Sequence, residues 1–131
     1  MRISVDTNIL VRAVVLDDAE QGQAAAQLLT DASLVAIALP CLCELVWVLR
    51  KLYGFKATDV SMAIRALLAA SNVAVNRPAV EAGLSVLDVG GDFADGAIAY
   101  EGKWLGDETF VSFDKKAVAL LTGQGHAARL L

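Results

Sequence analysis

The stretch Ile3-Ser4-Val5-Asp6-Thr7-Asn8-Ile9-Leu10-Val11 carries a short apolar run that ends on an acid and two small polar residues, after which apolar spacing resumes at Ile9, Val11 and Val15. This reads as a strand running into a helix, with a carboxylate at the junction. In an open α/β sheet the carboxyl ends of the parallel strands face the ligand crevice, so an acid just past a first buried strand sits where chemistry is usually done. Asp and Thr are also ordinary helix N-cap residues. On this stretch alone two readings of Asp6, cap and ligand, stay open, and only other acids converging on the same point can decide between them.

Outward from that junction, strand and helix signals alternate. Asp17-Asp18-Ala19-Glu20 starts a second helix that ends near Ala32-Ser33, and Leu34 to Leu39 is an unbroken apolar run bounded by Pro40. Continuous apolarity predicts a strand buried on both faces. Cys41 to Tyr53 reads as a helix with an apolar stripe of Leu42, Leu45, Val46, Leu49 and Leu52, closed by Gly54, and Glu44 falls in its first turn. Thr58 is expected to cap a further helix carrying Met62, Ile64, Leu67 and Leu68. Val73-Ala74-Val75 is a short strand, and Pro78 opens a helix that runs to the break at Gly90-Gly91. Asp92 and Asp95 fall on the first turn of the next helix. Thr109 to Phe113 is a fourth buried strand with Asp114-Lys115-Lys116 at its end, and Ala127 to Leu130 adds an edge strand. The alternation predicts a single α/β domain over residues 1–131, a three-layer α/β/α sandwich with a central, mainly parallel four- to five-stranded sheet.

Composition narrows the class. A chain of 131 residues removes roughly two thirds of its unfolded surface from water, and a hydrophobic share of 56% promises a generous core and room for a subunit interface. The longest uncharged stretches, Ala32 to Cys43 and Ala117 to Ala128, run 12 residues each, short of the roughly 20 that a membrane span needs. Together with a start that enters a strand directly, this predicts a cytoplasmic chain without membrane contact. Cys41 and Cys43 have no second cysteine pair or nearby histidine to complete a zinc site, and are expected to be buried free thiols. His126, the only histidine, reads as structural. The net charge of -4 does not advertise a nucleic-acid binder, though two divalent cations would bring it to about zero.

Under the sheet reading four acids share one address: Asp6 after the first strand, Glu44 and Asp95 early in helices, and Asp114 after the fourth strand. Asp92 is a fifth. Carboxylates packed together raise one another's pKa unless a cation compensates them, and an oxygen-only set suits Mg2+ or Mn2+ rather than zinc. Such ions hold a phosphodiester and activate a water for in-line attack. Thr7, Asn8 and Ser112 are candidate orienting groups, each equally readable as a local cap or turn residue. Arg12, Arg50, Lys115 and Lys116 are candidate RNA phosphate contacts. Trp47 and Trp104 are candidates for base stacking or an interface, Trp47 favouring core or dimer contact, while Phe93 and Tyr100 read as packing residues.

Asp6-Thr7-Asn8 after the first strand, Glu44 in a helix after Pro40, the segment Asp92 to Ala99, and Ser112-Phe113-Asp114 together resemble the PIN-domain family, with the nearest likeness to VapC-type ribonuclease toxins. The resemblance runs from Ile3 to about Leu120, and four motifs in this order make it specific. It implies a Mg2+- or Mn2+-dependent endoribonuclease, a homodimer held inactive by a cognate antitoxin protein, with catalytic acids at Asp6, Glu44, Asp95 and Asp114. Asp92 matches a position that is often acidic, and Ser112 the hydroxyl residue beside the last acid. A partner cation inserted among the acids, with an apolar helix lying in a neighbouring groove, is the expected mode of inhibition. Gly96 departs from the alanine common after the third acid, at an expected cost of about 1 kcal/mol. Aspartyl-phosphate chemistry fails on spacing, because Asn8 stands where a second acid would be needed and Asp17-Asp18 lie too far from the first strand. The alternative that survives is a non-catalytic PIN-like RNA-binding or scaffold module.

Overall fold

In the computed structural model, which describes residues 1–131, the first element is short: β1 (Arg2–Ser4) ends two residues before α1 (Thr7–Val15). Then come α2 (Ala19–Asp31), β2 (Leu34–Ala36), α3 (Leu39–Lys51), α4 (Ala57–Ala69) and β3 (Val73–Ala74). These elements form one of two compact units, Met1–Asn76. Its strands pair in parallel in the order β1-β2-β3, with Ile3 opposite Val35 and Val35 opposite Val73. The Val35 and Ile37 amides donate to the Asn72 and Ala74 carbonyls at 2.7 and 3.0 Å.

Helices fill the connections, as parallel pairing requires. Leu10, Leu42, Leu45, Leu49, Val60 and Ile64 are fully buried and form the core of this unit with Val35. Each such burial contributes about 1.5–3 kcal/mol before the ordering entropy is charged against it. The connection from α1 to α2 is tight. Leu16 turns the chain at φ 60, and a Cβ at Gly22 would come within 3.2 Å of the Arg12 carbonyl.

The second unit, Arg77–Leu131, holds α5 (Arg77–Leu87), α6 (Phe93–Trp104), β4 (Phe110–Ser112), α7 (Lys115–Gly123) and β5 (Ala128–Leu130). β4 and β5 pair in parallel. Val86, Ala99 and Leu121 form a buried cluster under Phe110, Leu120 and Ala128. α5 and α6 lie unusually close. An ideal Cβ on Gly83 would stand 2.6 Å from the Phe93 ring, and one on Gly96 would collide with the Ala82 carbonyl oxygen. Gly96 is therefore no tolerated departure, as the sequence suggested, but a position where the α5 backbone leaves no space for a side chain.

The α/β alternation and the parallel strands are as expected; the single four- to five-stranded sheet is not. The five strands make a three-stranded and a two-stranded sheet. With two or three residues per strand, each offers too few backbone hydrogen bonds to extend a ladder far. Burial is also lower than expected on β4, where Val111 is 50% exposed, and β2 alternates between buried and half-buried residues. Leu39 belongs to α3 rather than to the strand before it, and Pro40, which bounds the apolar run, stands in the first turn of that helix, where proline is suited. Glu44 therefore lies in the second turn of α3, not the first. At α4 the cap position is Lys56, with no side-chain bond, so Thr58 is inside the helix. Leu52 and Met62, expected on apolar stripes, are exposed.

Candidate functional site

Asp6 occupies the N-cap position of α1 with extended backbone angles, yet its carboxylate accepts no capping hydrogen bond. Other aspartates at helix starts behave differently. Asp18 accepts from the Gln21 amide at 2.9 Å, Asp92 from the Ala94 amide at 3.2 Å and Asp114 from the Ala117 amide at 3.0 Å. The choice between cap and ligand left open at Asp6 thus turns against the cap.

Asp6 and Glu44 are both exposed and flank a half-buried thiol. Burial pushes the Cys41 thiol up, a hydrogen bond from Thr7 opposes this, and the fields of Asp6 and Glu44 add to the rise. The sulfur is consequently a protonated hydrogen-bonding group. Thr7 Oγ1 donates to it at 3.5 Å, and it donates to the Val5 carbonyl at 3.7 Å. Thr7 is only 4% exposed, so its hydroxyl faces the interior rather than a bound water or phosphate. Asn8 is exposed and helps line a groove of about 530 Å3 with Ile9, Arg12, Gln21 and Leu28.

The second unit brings three acids together. Asp95 sits in the first turn of α6, half-buried, and its carboxyl is held above the usual range, first by burial and then by the charges of Asp92 and Asp114. Asp92 and Asp114 are exposed N-caps of α6 and α7. Ser112 accepts a hydrogen bond from the Asp114 amide at 2.9 Å, closing a tight turn that fixes the backbone of that acid. Here the local turn reading of Ser112 holds.

The candidate cations divide. Arg12 is paired with Asp17 and donates to the Tyr53 hydroxyl at 3.3 Å, while Tyr53 donates back to Asp17 at 3.2 Å. Arg50 donates to the Phe55 carbonyl at 3.0 Å beyond the end of α3. Lys115 and Lys116 are exposed at the start of α7, immediately after Asp114. Trp47 is 56% exposed, which removes the core reading and leaves both base stacking and an interface open. Trp104 is 75% exposed, its indole N–H held by the Tyr100 hydroxyl at 2.6 Å. Phe93 is fully buried, as a packing residue should be. Neither Cys41 nor Cys43 is in a disulfide, and both are half-buried rather than buried.

As a donor set these acids suit a hard divalent cation. They offer oxygen only, and Asp95 bears a repulsion that a cation would relieve. No three of the chain's acids, cysteines and histidine are grouped at the spacing of a closed coordination sphere. No helix is long and apolar enough to cross a membrane. Sequence reasoning missed the Thr7–Cys41 bond, the Arg12–Asp17–Tyr53 network and the glycine contact behind Asp95, because each joins residues whose proximity only the fold creates. Compared with known proteins, the chain matches no family model and no curated protein.

Proposed function

We propose that the chain is a metal-dependent endoribonuclease of the PIN-domain, VapC-toxin type, with the three-layer arrangement of that family. The observation that carries this reading is Asp95, pushed toward protonation first by its burial and then by the charges of Asp92 and Asp114. Acids arranged so that they disfavour one another are a mark of functional sites. Asp6 supports it, being at a helix start without serving as its cap.

In this proposal each unit is taken by itself: Asp6 and Glu44 in the first, and Asp92, Asp95 and Asp114 in the second, are the groups that would bind Mg2+ or Mn2+. When bound, the ion supplies a water of lowered pKa and a clamp on the scissile phosphate. The chain's own part is orientation. Backbone amides of α6 and α7 fix the Asp92 and Asp114 carboxylates, and Ser112 fixes the backbone at Asp114. Lys115 and Lys116 are free of any such internal role and are the candidates for RNA phosphates; Arg12 and Arg50 are already engaged. A groove of about 730 Å3 lined by Ala13, Val14, Leu29, Ala63, Ala66 and Leu67 is apolar enough for a helix of the antitoxin. The exposed Trp47 is a candidate contact for the homodimer.

The test is cleavage of total RNA by the purified protein with Mg2+, with Mn2+ and with chelator, beside Asp6→Asn. Discrete metal-dependent fragments are expected, reduced more than about a hundredfold in Asp6→Asn with the fold unchanged by circular dichroism. A folded wild type that cuts no RNA in either metal would instead favour the non-catalytic scaffold.

A further inference from the structure

Thr7 is one of two buried polar side chains in the chain. Its hydroxyl and the Cys41 thiol form a short relay, Thr7 Oγ1 to Cys41 Sγ at 3.5 Å and Cys41 Sγ to the Val5 carbonyl at 3.7 Å. This relay closes a loop from the exit of β1, through the first residue of α1, to the first turn of α3. Asp6 lies between the two anchored residues Val5 and Thr7. Glu44 lies three residues beyond Cys41, on the same helix face. Both carboxylates are thus attached, at one remove, to a single sulfur.

The geometry points to Thr7 and Cys41 as positioning residues that set the separation of Asp6 and Glu44, a role that rests on the nuclease reading above. Neither touches substrate or metal. Cys41 is poorly suited to a nucleophilic or redox role, since a half-buried thiol flanked by acids stays protonated. As a donor and acceptor it is well suited, because sulfur's long bonds let one atom reach both the strand end and the α1 hydroxyl. A carboxylate pair left loose by loss of the relay suits Mg2+ less than Mn2+, since Mg2+ demands near-ideal octahedral geometry.

The experiment compares wild type with Thr7→Val, Thr7→Ser, Cys41→Ala and Cys41→Ser, reading kcat and KM for RNA cleavage in each metal and Mn2+ affinity by electron paramagnetic resonance. Thr7→Val and Cys41→Ala are expected to lose about tenfold to a hundredfold in Mg2+-supported kcat, less with Mn2+, at little change in KM. Their Mn2+ affinity falls several-fold, and Thr7→Ser recovers both quantities. If Thr7→Val does not fold, the two Cys41 variants carry the comparison. Folded variants with wild-type kcat and Mn2+ affinity overturn the positioning role and leave the nuclease standing. A wild type that neither cleaves nor binds Mn2+ overturns the nuclease reading, and this role with it.

Discussion

Asp95 holds its proton to higher pH in the folded chain than in the unfolded one, because burial and the charges of Asp92 and Asp114 disfavour its ionised form. Below the ordinary aspartate value both states are protonated and the residue is neutral toward stability. As pH rises the unfolded chain ionises first, so the fold loses stability up to the raised folded value and carries the full cost above it. Asp95→Asn is therefore expected to raise the Tm of the metal-free protein at neutral pH and, on the proposed nuclease reading, to abolish cleavage. The gain should vanish in acid and shrink when Mg2+ compensates the wild type, as calorimetry at several pH values would show. His126 runs the other way. Burial and Lys103 lower its pKa from 6.5, with Asp107 opposing, and its Nδ1 is buried without a partner. Its contribution is fully present above pH 6.5 and is lost as pH falls toward the lowered folded value, so His126→Leu should flatten the Tm profile on that acid side. At this scale the candidate acids were legible as residue types next to strand ends. The relay through Cys41 was not, since 34 residues separate it from Thr7.

The seam between α5 and α6 turns on two glycines in successive helices. A methyl group on Gly96 would meet the Ala82 carbonyl, and relief requires α6 to move away from α5. Gly96→Ala, which propensity alone favours by about 1 kcal/mol, is expected instead to destabilise by about 1–3 kcal/mol, the usual cost of overpacking, read as a lower urea midpoint. Asp95, one residue earlier, would move with the helix. The order of elements was readable because each apolar run is punctuated by proline, glycine or aspartate. Their edges were less so: Leu34 to Leu39 is uniformly apolar, and apolarity alone does not say where strand gives way to helix. The structure divides it at Ala36 and Leu39, which moved Glu44 to a second turn.

Over the whole chain, parallel pairing and helical connections followed from the alternation, but sheet width did not. Width depends on which strands exchange hydrogen bonds, and strands of two or three residues leave no periodic trace of their partners. Exposure was equally hidden. Trp47, Met62, Trp104 and Phe113 lie on the surface although apolar patterning places such residues inside. The crowding at Gly96 has a last consequence for anyone mapping this protein by mutation. If the proposed nuclease reading holds, a screen that scores every substitution for loss of activity should place position 96 beside Asp6 and Asp95 as intolerant, though it contributes no functional group. A ranking by intolerance alone would count it among the catalytic residues, and only a parallel assay of folded abundance would separate it from them.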